Sequence, residues 1–205
     1  AVGIDSSAQM IKLSKNTFPN RDYPNLSFQV MDTRKLIFHN EFDMIFSNAA
    51  LHWILDQKAV LQGVQRSLKT GGRILFQMAG KANAQAVLGV LDELLVKDPW
   101  KEFFEGFAFP YGFFSAEEYA AFLVEAGLKP LRVELFSRDM KHAGEEGLAG
   151  WIRTTWLPYT ERLPIEKRDK FVNEIVKRYI KNHPIDTNGI VHLGMIRLEV
   201  EAYKP

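Results

Sequence analysis

Phe42-Asp43-Met44-Ile45-Phe46-Ser47-Asn48-Ala49-Ala50-Leu51-His52-Trp53 decides how the rest of the chain is read. A short apolar, partly β-branched run opens it, bounded by polar residues. That pattern predicts a buried strand over Phe42 to Phe46. The chain then turns at Ser47-Asn48-Ala49, and an amphipathic helix follows from about Asp56. Open α/β sheets bind ligands at the carboxyl ends of their strands. The Ser47-Asn48 strand end is therefore the candidate floor of a ligand site.

Working outward, Val2-Gly3-Ile4 predicts a short strand ending at Asp5. Ser6 or Ser7 caps a helix that carries Met10, Ile11 and Leu13. Pro19 to Pro24 is a turn-rich connection, and Leu26-Ser27-Phe28-Gln29-Val30 alternates like a strand that ends near Asp32. Beyond the opening stretch, Ala59, Val60, Leu61, Val64 and Leu68 recur at helical spacing after Asp56. Gly71-Gly72 stops that helix, and Arg73 to Met78 is a further strand. Strand, helix, strand, strand, helix, strand argues for a parallel sheet with helices on its faces. Asp5, Asp32 and Ser47-Asn48 then share one edge of the sheet and converge.

The second half has a different texture. Ala86, Val87, Val90, Leu91, Leu94 and Leu95 form an apolar helical stripe. Residues 99–114 are crowded with aromatics, from Trp100 to Phe114. Ser115-Ala116-Glu117-Glu118 is a capping box for a helix that buries Tyr119, Phe122, Leu123 and Ala126 and ends at Gly127. Leu128 to Phe136 predicts a strand, and residues 144–183 are mostly helical. Ile196, Leu198, Val200 and Ala202 alternate with Arg197, Glu199 and Glu201, which suits an antiparallel last strand.

The composition narrows the function classes. The 205 residues suffice for one sizeable core, with 46% hydrophobic and 25% charged residues. A net charge of +1 gives no electrostatic case for nucleic acid or an anionic membrane. The chain has no cysteine, which excludes disulfides and thiolate metal sites and fits a reducing, cytoplasmic compartment. No apolar run approaches the roughly 20 residues a membrane helix needs, and no signal peptide is visible. The five histidines are scattered without metal-ligand spacing, so no metal is assigned. Ala1-Val2-Gly3 already reads as the interior of a strand, so the chain is expected to be part of a longer protein.

The order Val2-Gly3-Ile4-Asp5-Ser6-Ser7, Met10-Ile11, Asp32, the Phe42–Trp53 stretch and Leu68-Lys69-Thr70-Gly71-Gly72-Arg73-Ile74-Leu75 resembles the class I S-adenosylmethionine-dependent methyltransferases. Ser-Asn-Ala-Ala-Leu-His-Trp, together with Trp151-Ile152-Arg153-Thr154-Thr155 and the aromatic middle, is similar to the trans-aconitate methyltransferase branch, with malonyl-carrier-protein methyltransferases as close neighbours. The resemblance implies an α/β, Rossmann-like sheet with helices on both faces, seven strands and an antiparallel last strand. It implies one domain over 1–205, with a helical and aromatic cap from about 97–115 and 144–184. The implied cofactor is S-adenosyl-L-methionine. Asp5 would hold the ribose hydroxyls and Asp32 the adenine amine, with Ser6, Met10, Thr33, Asn48 and Ala49 beside them. The family's first strand and its Gly-x-Gly loop have no counterpart here, since no Gly-x-Gly occurs anywhere in the chain. A sheet lacking that central strand is expected to expose strand edges that invite pairing with a second copy.

The residues also carry blander readings. Asp5 is either a helix cap or a ribose ligand, and as a ribose ligand it would serve NAD equally. Asp32 and Asn48 are ordinary turn formers. His52 and Trp53 are either a packing pair at a helix entry or the border of an acceptor pocket, where an aromatic face stabilises a sulfonium. Arg153 is either a surface ion-pair residue or a clamp for an acceptor carboxylate. The favoured reading is in-line methyl transfer to a small molecule, with His52, Trp53 and Arg153 at the acceptor. A carboxylate acceptor, ionised at neutral pH, needs no general base. The rival is a methyltransferase-like domain that binds without turnover.

Overall fold

The computed structural model describes all 205 residues. Six strands are present: β1 Val2–Asp5, β2 Ser27–Val30, β3 Phe42–Asn48, β4 Leu68–Ala79, β5 Lys129–Ala143 and β6 Ile190–Tyr203. The helices are α1 Ala8–Thr17, α2 Gln57–Ser67, α3 Gln85–Leu95, α4 Ala116–Glu125, α5 Gly144–Thr155, α6 Leu157–Thr160 and α7 Ile165–Asn182. The strand–helix alternation of the first eighty residues is as the periodicity predicts. No helix is long and apolar enough to cross a membrane.

The sheet departs from a single ladder. β1 pairs in parallel with β2 alone, while the other strands form a separate sheet in the order β3-β4-β6-β5. β3 runs parallel to β4, with Ile45 opposite Ile74 and Asn48 opposite Gln77. β6 is antiparallel to β4. Gly72 bonds with Lys204 and Gly80 with Ile196, so one strand's numbers rise as the other's fall. β5 and β6 are antiparallel by the same test, with Arg132 reaching Glu199 and Glu201 while Asp139 reaches His192. The seven strands that the resemblance implies are six here, and the break lies between β1 and β3.

That break corrects the expectation of a buried strand at Phe42 to Phe46. β3 is the last strand of its sheet, and its free side leaves Met44 61% and Phe46 63% exposed. β3 also continues through Ser47 and Asn48, so the turn begins two residues later than the polar pair suggests. The glycine pair has another role than stopping a helix. α2 ends at Ser67, and Gly71-Gly72 lies inside β4. Gly71 takes φ +77°, and a Cβ on Gly72 would sit 3.0 Å from the Phe42 carbonyl oxygen. A positive φ and a close backbone approach both require glycine.

The chain divides into two compact units. The first contains Ala1–Gln77, Ala116–Glu134 and Glu199–Pro205, and the second contains Met78–Ser115 and Leu135–Leu198. In the first, α2 turns Val60, Leu61 and Val64 inward, next to buried Leu68, Ile74, Phe76, Tyr119 and Leu123. Each fully buried aliphatic side chain contributes roughly 1.5–3 kcal/mol.

The second unit holds both segments expected to form a cap. Its core is aromatic. Trp100 and Phe171 meet edge to face at 5.0 Å, Phe104 stacks on Phe171 at 5.6 Å, and Phe107 meets Tyr159 at 4.7 Å. The Trp100 indole donates to Glu174 Oε2 at 2.9 Å, which pairs the buried N–H. In β6 the inward parity switches, from Val191 and Leu193 to Leu198, Val200 and Ala202. Near the switch, the Ile196 N–H donates to the Asn83 side chain at 3.0 Å.

Candidate functional site

The strand ends of the first unit hold the residues of interest. At the end of β1, Asp5 Oδ1 accepts the Ser7 N–H at 2.7 Å. Ser7 itself caps α1, accepting the Met10 N–H at 3.3 Å. Asp5 therefore shapes the turn and is not the cap, and it is an exposed residue. Ser6 and Met10 are exposed beside it. The Met31 N–H donates to the Asp5 carbonyl at 2.9 Å, which brings the end of β2, and with it Asp32, next to the end of β1.

Asp32 is a turn cap. Its carboxylate takes the Arg34 N–H at 2.9 Å and the Arg34 guanidinium at 3.0, 3.1 and 2.6 Å. A carboxylate has about four lone-pair sites, and Arg34 occupies them. Those side-chain and backbone hydrogen bonds from Arg34 hold the Asp32 carboxyl at about 2. An adenine amine would reach Asp32 only after Arg34 swings aside.

β3 ends at Asn48. Ala49 follows at φ 54°, in the left-handed region, and its N–H donates to the Gln77 carbonyl at 2.8 Å. A non-glycine residue there is strained, and such strain clusters at functional sites. Leu51–Trp53 then make a single 3-10 turn. The His52 and Trp53 rings lie 5.8 Å apart, and burial pulls the His52 imidazole down to about 4. At neutral pH it is uncharged.

One cavity of about 470 Å³ runs beside β1 and β3; its walls include Ile4, Thr33, Phe46, Ser47 and Ala50, while Asp5, Asp32 and Asn48 adjoin lining residues without lining it themselves. Ile4 precedes Asp5, Thr33 follows Asp32 and Ser47 precedes Asn48. Arg153 belongs to the second unit. Its guanidinium is committed to Glu146 at 2.7 Å and Asp169 at 3.2 Å, the surface ion-pair arrangement.

Two residues of the site had no signal in the sequence. Gln57, 1% exposed, opens α2, and its carboxamide donates to the carbonyls of Leu51 at 2.8 Å and Ile54 at 2.6 Å. The Tyr119 hydroxyl donates back to Gln57 Oε1 at 3.0 Å. Tyr119 reads from periodicity as plain core, and a partner 62 positions away is invisible to local pattern.

Parallel strands alternating with helices, closed by an antiparallel last strand, define a Rossmann-like fold. The fold of the BH2331 protein of Bacillus halodurans covers 100% of this chain and 82% of its own, at a TM-score of 0.65 and 14% identity. Phosphoethanolamine N-methyltransferase 2 of Haemonchus contortus, solved with S-adenosylhomocysteine, matches at a TM-score of 0.55 and 17% identity over 100% of this chain and 43% of its own. Residues 1–105 match the profile of a methyltransferase domain, and the chain belongs to that family. Among curated relatives, the 235L protein of Invertebrate iridescent virus 6, named as a methyltransferase, is 25% identical over 87% of this chain. Trans-aconitate 2-methyltransferase of Rhizobium rhizogenes is 26% identical over 98%. The chain spans 64% of the length of the viral relative and 77% of the bacterial one.

Proposed function

We propose that the chain is the donor-binding part of an S-adenosylmethionine-dependent methyltransferase that acts on a small carboxylate in the cytoplasm. The observation that carries the reading is a cavity lined by the chain neighbours of Asp5, Asp32 and Asn48. S-adenosylmethionine bound there supplies a methyl group already activated on a sulfonium. Asp5 fits the ribose diol, because it is exposed at the end of β1 and its bond from Ser7 uses Oδ1. Asp32 fits the adenine amine only with Arg34 displaced. Ala49, in its left-handed turn, presents backbone along the nucleoside.

The remaining work of the protein is alignment and exclusion of water. His52 at about 4 is a weak base at neutral pH, which disfavours a phenol or amine acceptor. A carboxylate acceptor arrives ionised. The trans-aconitate relative makes that tricarboxylate the first acceptor to try. Arg153 belongs to the other unit and is paired with Glu146 and Asp169, so the reading does not rest on it. The unpaired sides of β1 and β3 also suit pairing with a second copy, and a strictly monomeric sedimentation profile would count against that.

Isothermal titration with S-adenosylhomocysteine tests the core of the reading. Binding is expected, and Asp5→Ala should weaken it by about tenfold or more, the loss of a charge-assisted hydrogen bond. A flat titration overturns the donor assignment. Binding without methyl transfer to trans-aconitate or to other small carboxylates favours the binding-domain alternative.

A further inference from the structure

The Leu51–Trp53 turn is poorly equipped to hold its own shape. It is a single 3-10 turn without a side-chain cap, and 3-10 hydrogen bonds are weaker than those of an α-helix. Its internal bonds are Trp53 N–H to Ala50 at 3.1 Å and Ile54 N–H to Leu51 at 3.0 Å. Yet it carries His52 and Trp53, and Ala50 and Leu51 line the cavity.

Gln57 supplies what the turn lacks. Its carboxamide donates one hydrogen to the Leu51 carbonyl and the other to the Ile54 carbonyl, so the two bonds bracket His52 and Trp53. Its backbone N–H adds a bond to Leu55 at 3.0 Å. The orientation of the carboxamide follows from its partners, since the reverse would aim an oxygen at two carbonyls. Tyr119 then fixes the far side by donating to Oε1 at 3.0 Å. Burial pushes the Tyr119 phenol up, so it stays protonated and keeps donating. Burying a carboxamide is unfavourable unless it is paired. An apolar residue would fill the same space without fixing the turn.

We propose that Gln57, braced by Tyr119, is a positioning residue that sets the Leu51–Ile54 turn and thereby aims His52 and Trp53 at the methyl acceptor. The aim at an acceptor rests on the methyltransferase reading, whereas the grip on the turn does not. Without the carboxamide the turn loosens and water reaches the His52 ring.

Two variants test it. Gln57→Met keeps the length and removes both donors, and Tyr119→Phe removes only the brace. Histidine ring protons followed by NMR across pH report His52 directly. In the unaltered chain burial is expected to hold the His52 pKa down, at about 4. In Gln57→Met it should move toward the ordinary histidine value by at least about one unit. Tyr119→Phe should move it the same way by less. In methyl-transfer assays with trans-aconitate, Gln57→Met should raise the acceptor KM about tenfold, while S-adenosylhomocysteine affinity stays within about twofold, as expected when acceptor alignment alone is lost.

If Gln57→Met melts earlier but His52 still titrates near 4, the residue is merely structural and the proposal falls. If Gln57→Met does not fold, Tyr119→Phe decides by the same His52 readout. A shifted His52 in a protein that never transfers methyl supports the grip on the turn and overturns the methyltransferase reading alone.

Discussion

The two units use their apolar residues in opposite ways. In the second, Trp100, Phe104, Tyr111, Tyr159 and Phe171 belong to one buried aromatic cluster, and the large apolar residues left exposed, such as Val96 and Ile165, lie outside it. In the first, Met10, Leu13, Val30, Met44, Phe46 and Trp53 stand exposed, and Met44 and Phe46 line a cavity of about 470 Å³. The aromatic unit is filled, and the strand-end unit is open. An interior packed to crystal-like density has no room for a ligand. The open edge of a sheet has that room, at the expense of apolar surface left in water. Stability and ligand capacity are thus concentrated in different residues of one chain.

The largest test of this contrast is truncation on both sides. Phe171→Ala should lower unfolding free energy by about 3–5 kcal/mol, the cost of a cavity in a filled core. Phe46→Ala, on the exposed side of β3, should change it by no more than about 0.5 kcal/mol. Urea denaturation of both variants measures the gap, and equal losses would erase the distinction.

A finer test uses the same strain in two settings. Ala49 at φ 54° and Ala84 at φ 50° both occupy left-handed backbone, but Ala49 is exposed and Ala84 is fully buried. Ala49→Gly should raise stability by about 1 kcal/mol through relief of that strain. Ala84→Gly should gain nothing net, because a lost buried methyl, worth about 0.8 kcal/mol, offsets the relief. Thermal melts of the pair separate the two outcomes.

The smallest expected effect is a pH dependence that distinguishes the histidines. In the second unit, His192 lies between Asp139 at 2.7 Å and Asp186 at 3.1 Å, and hydrogen bonds to those carboxylates raise its pKa. A raised folded-state pKa contributes stability that is complete below the ordinary value of about 6.5 and fades as pH rises through the raised value. The melting-point gap between the unaltered protein and His192→Gln should therefore be widest in mild acid and close on the alkaline side. His52 has the opposite sign. Its folded pKa is depressed, so the folded state is penalised as pH falls from about 6.5 toward 4. A gap at His192 that widens with rising pH would refute the assignment.

Much of the fold was legible because its signals are local. The 3.6-residue spacing of Val60, Leu61 and Val64, the serine cap before Ala8 and the left-handed Gly127 that ends α4 each act within one turn. Asp5 and Asn48 were found as strand-end residues for the same reason. The commitment of Asp32 to Arg34 depends on side-chain rotamers that spacing does not encode. The carboxylates around Arg153 are seven and sixteen positions away, on two different helices. Both were therefore open in the sequence, and the structure gives each a partner.

The sequence alone determined the strand–helix order and the family of the chain, since periodicity, caps and turn residues are set by near neighbours. Only the tertiary structure decided that the strands divide into two sheets with a hollow between β1 and β3. The same is true of the buried Gln57 that grips the turn before α2. Sheet pairing and buried hydrogen bonds depend on which distant segments meet, and that is settled by packing of the whole chain.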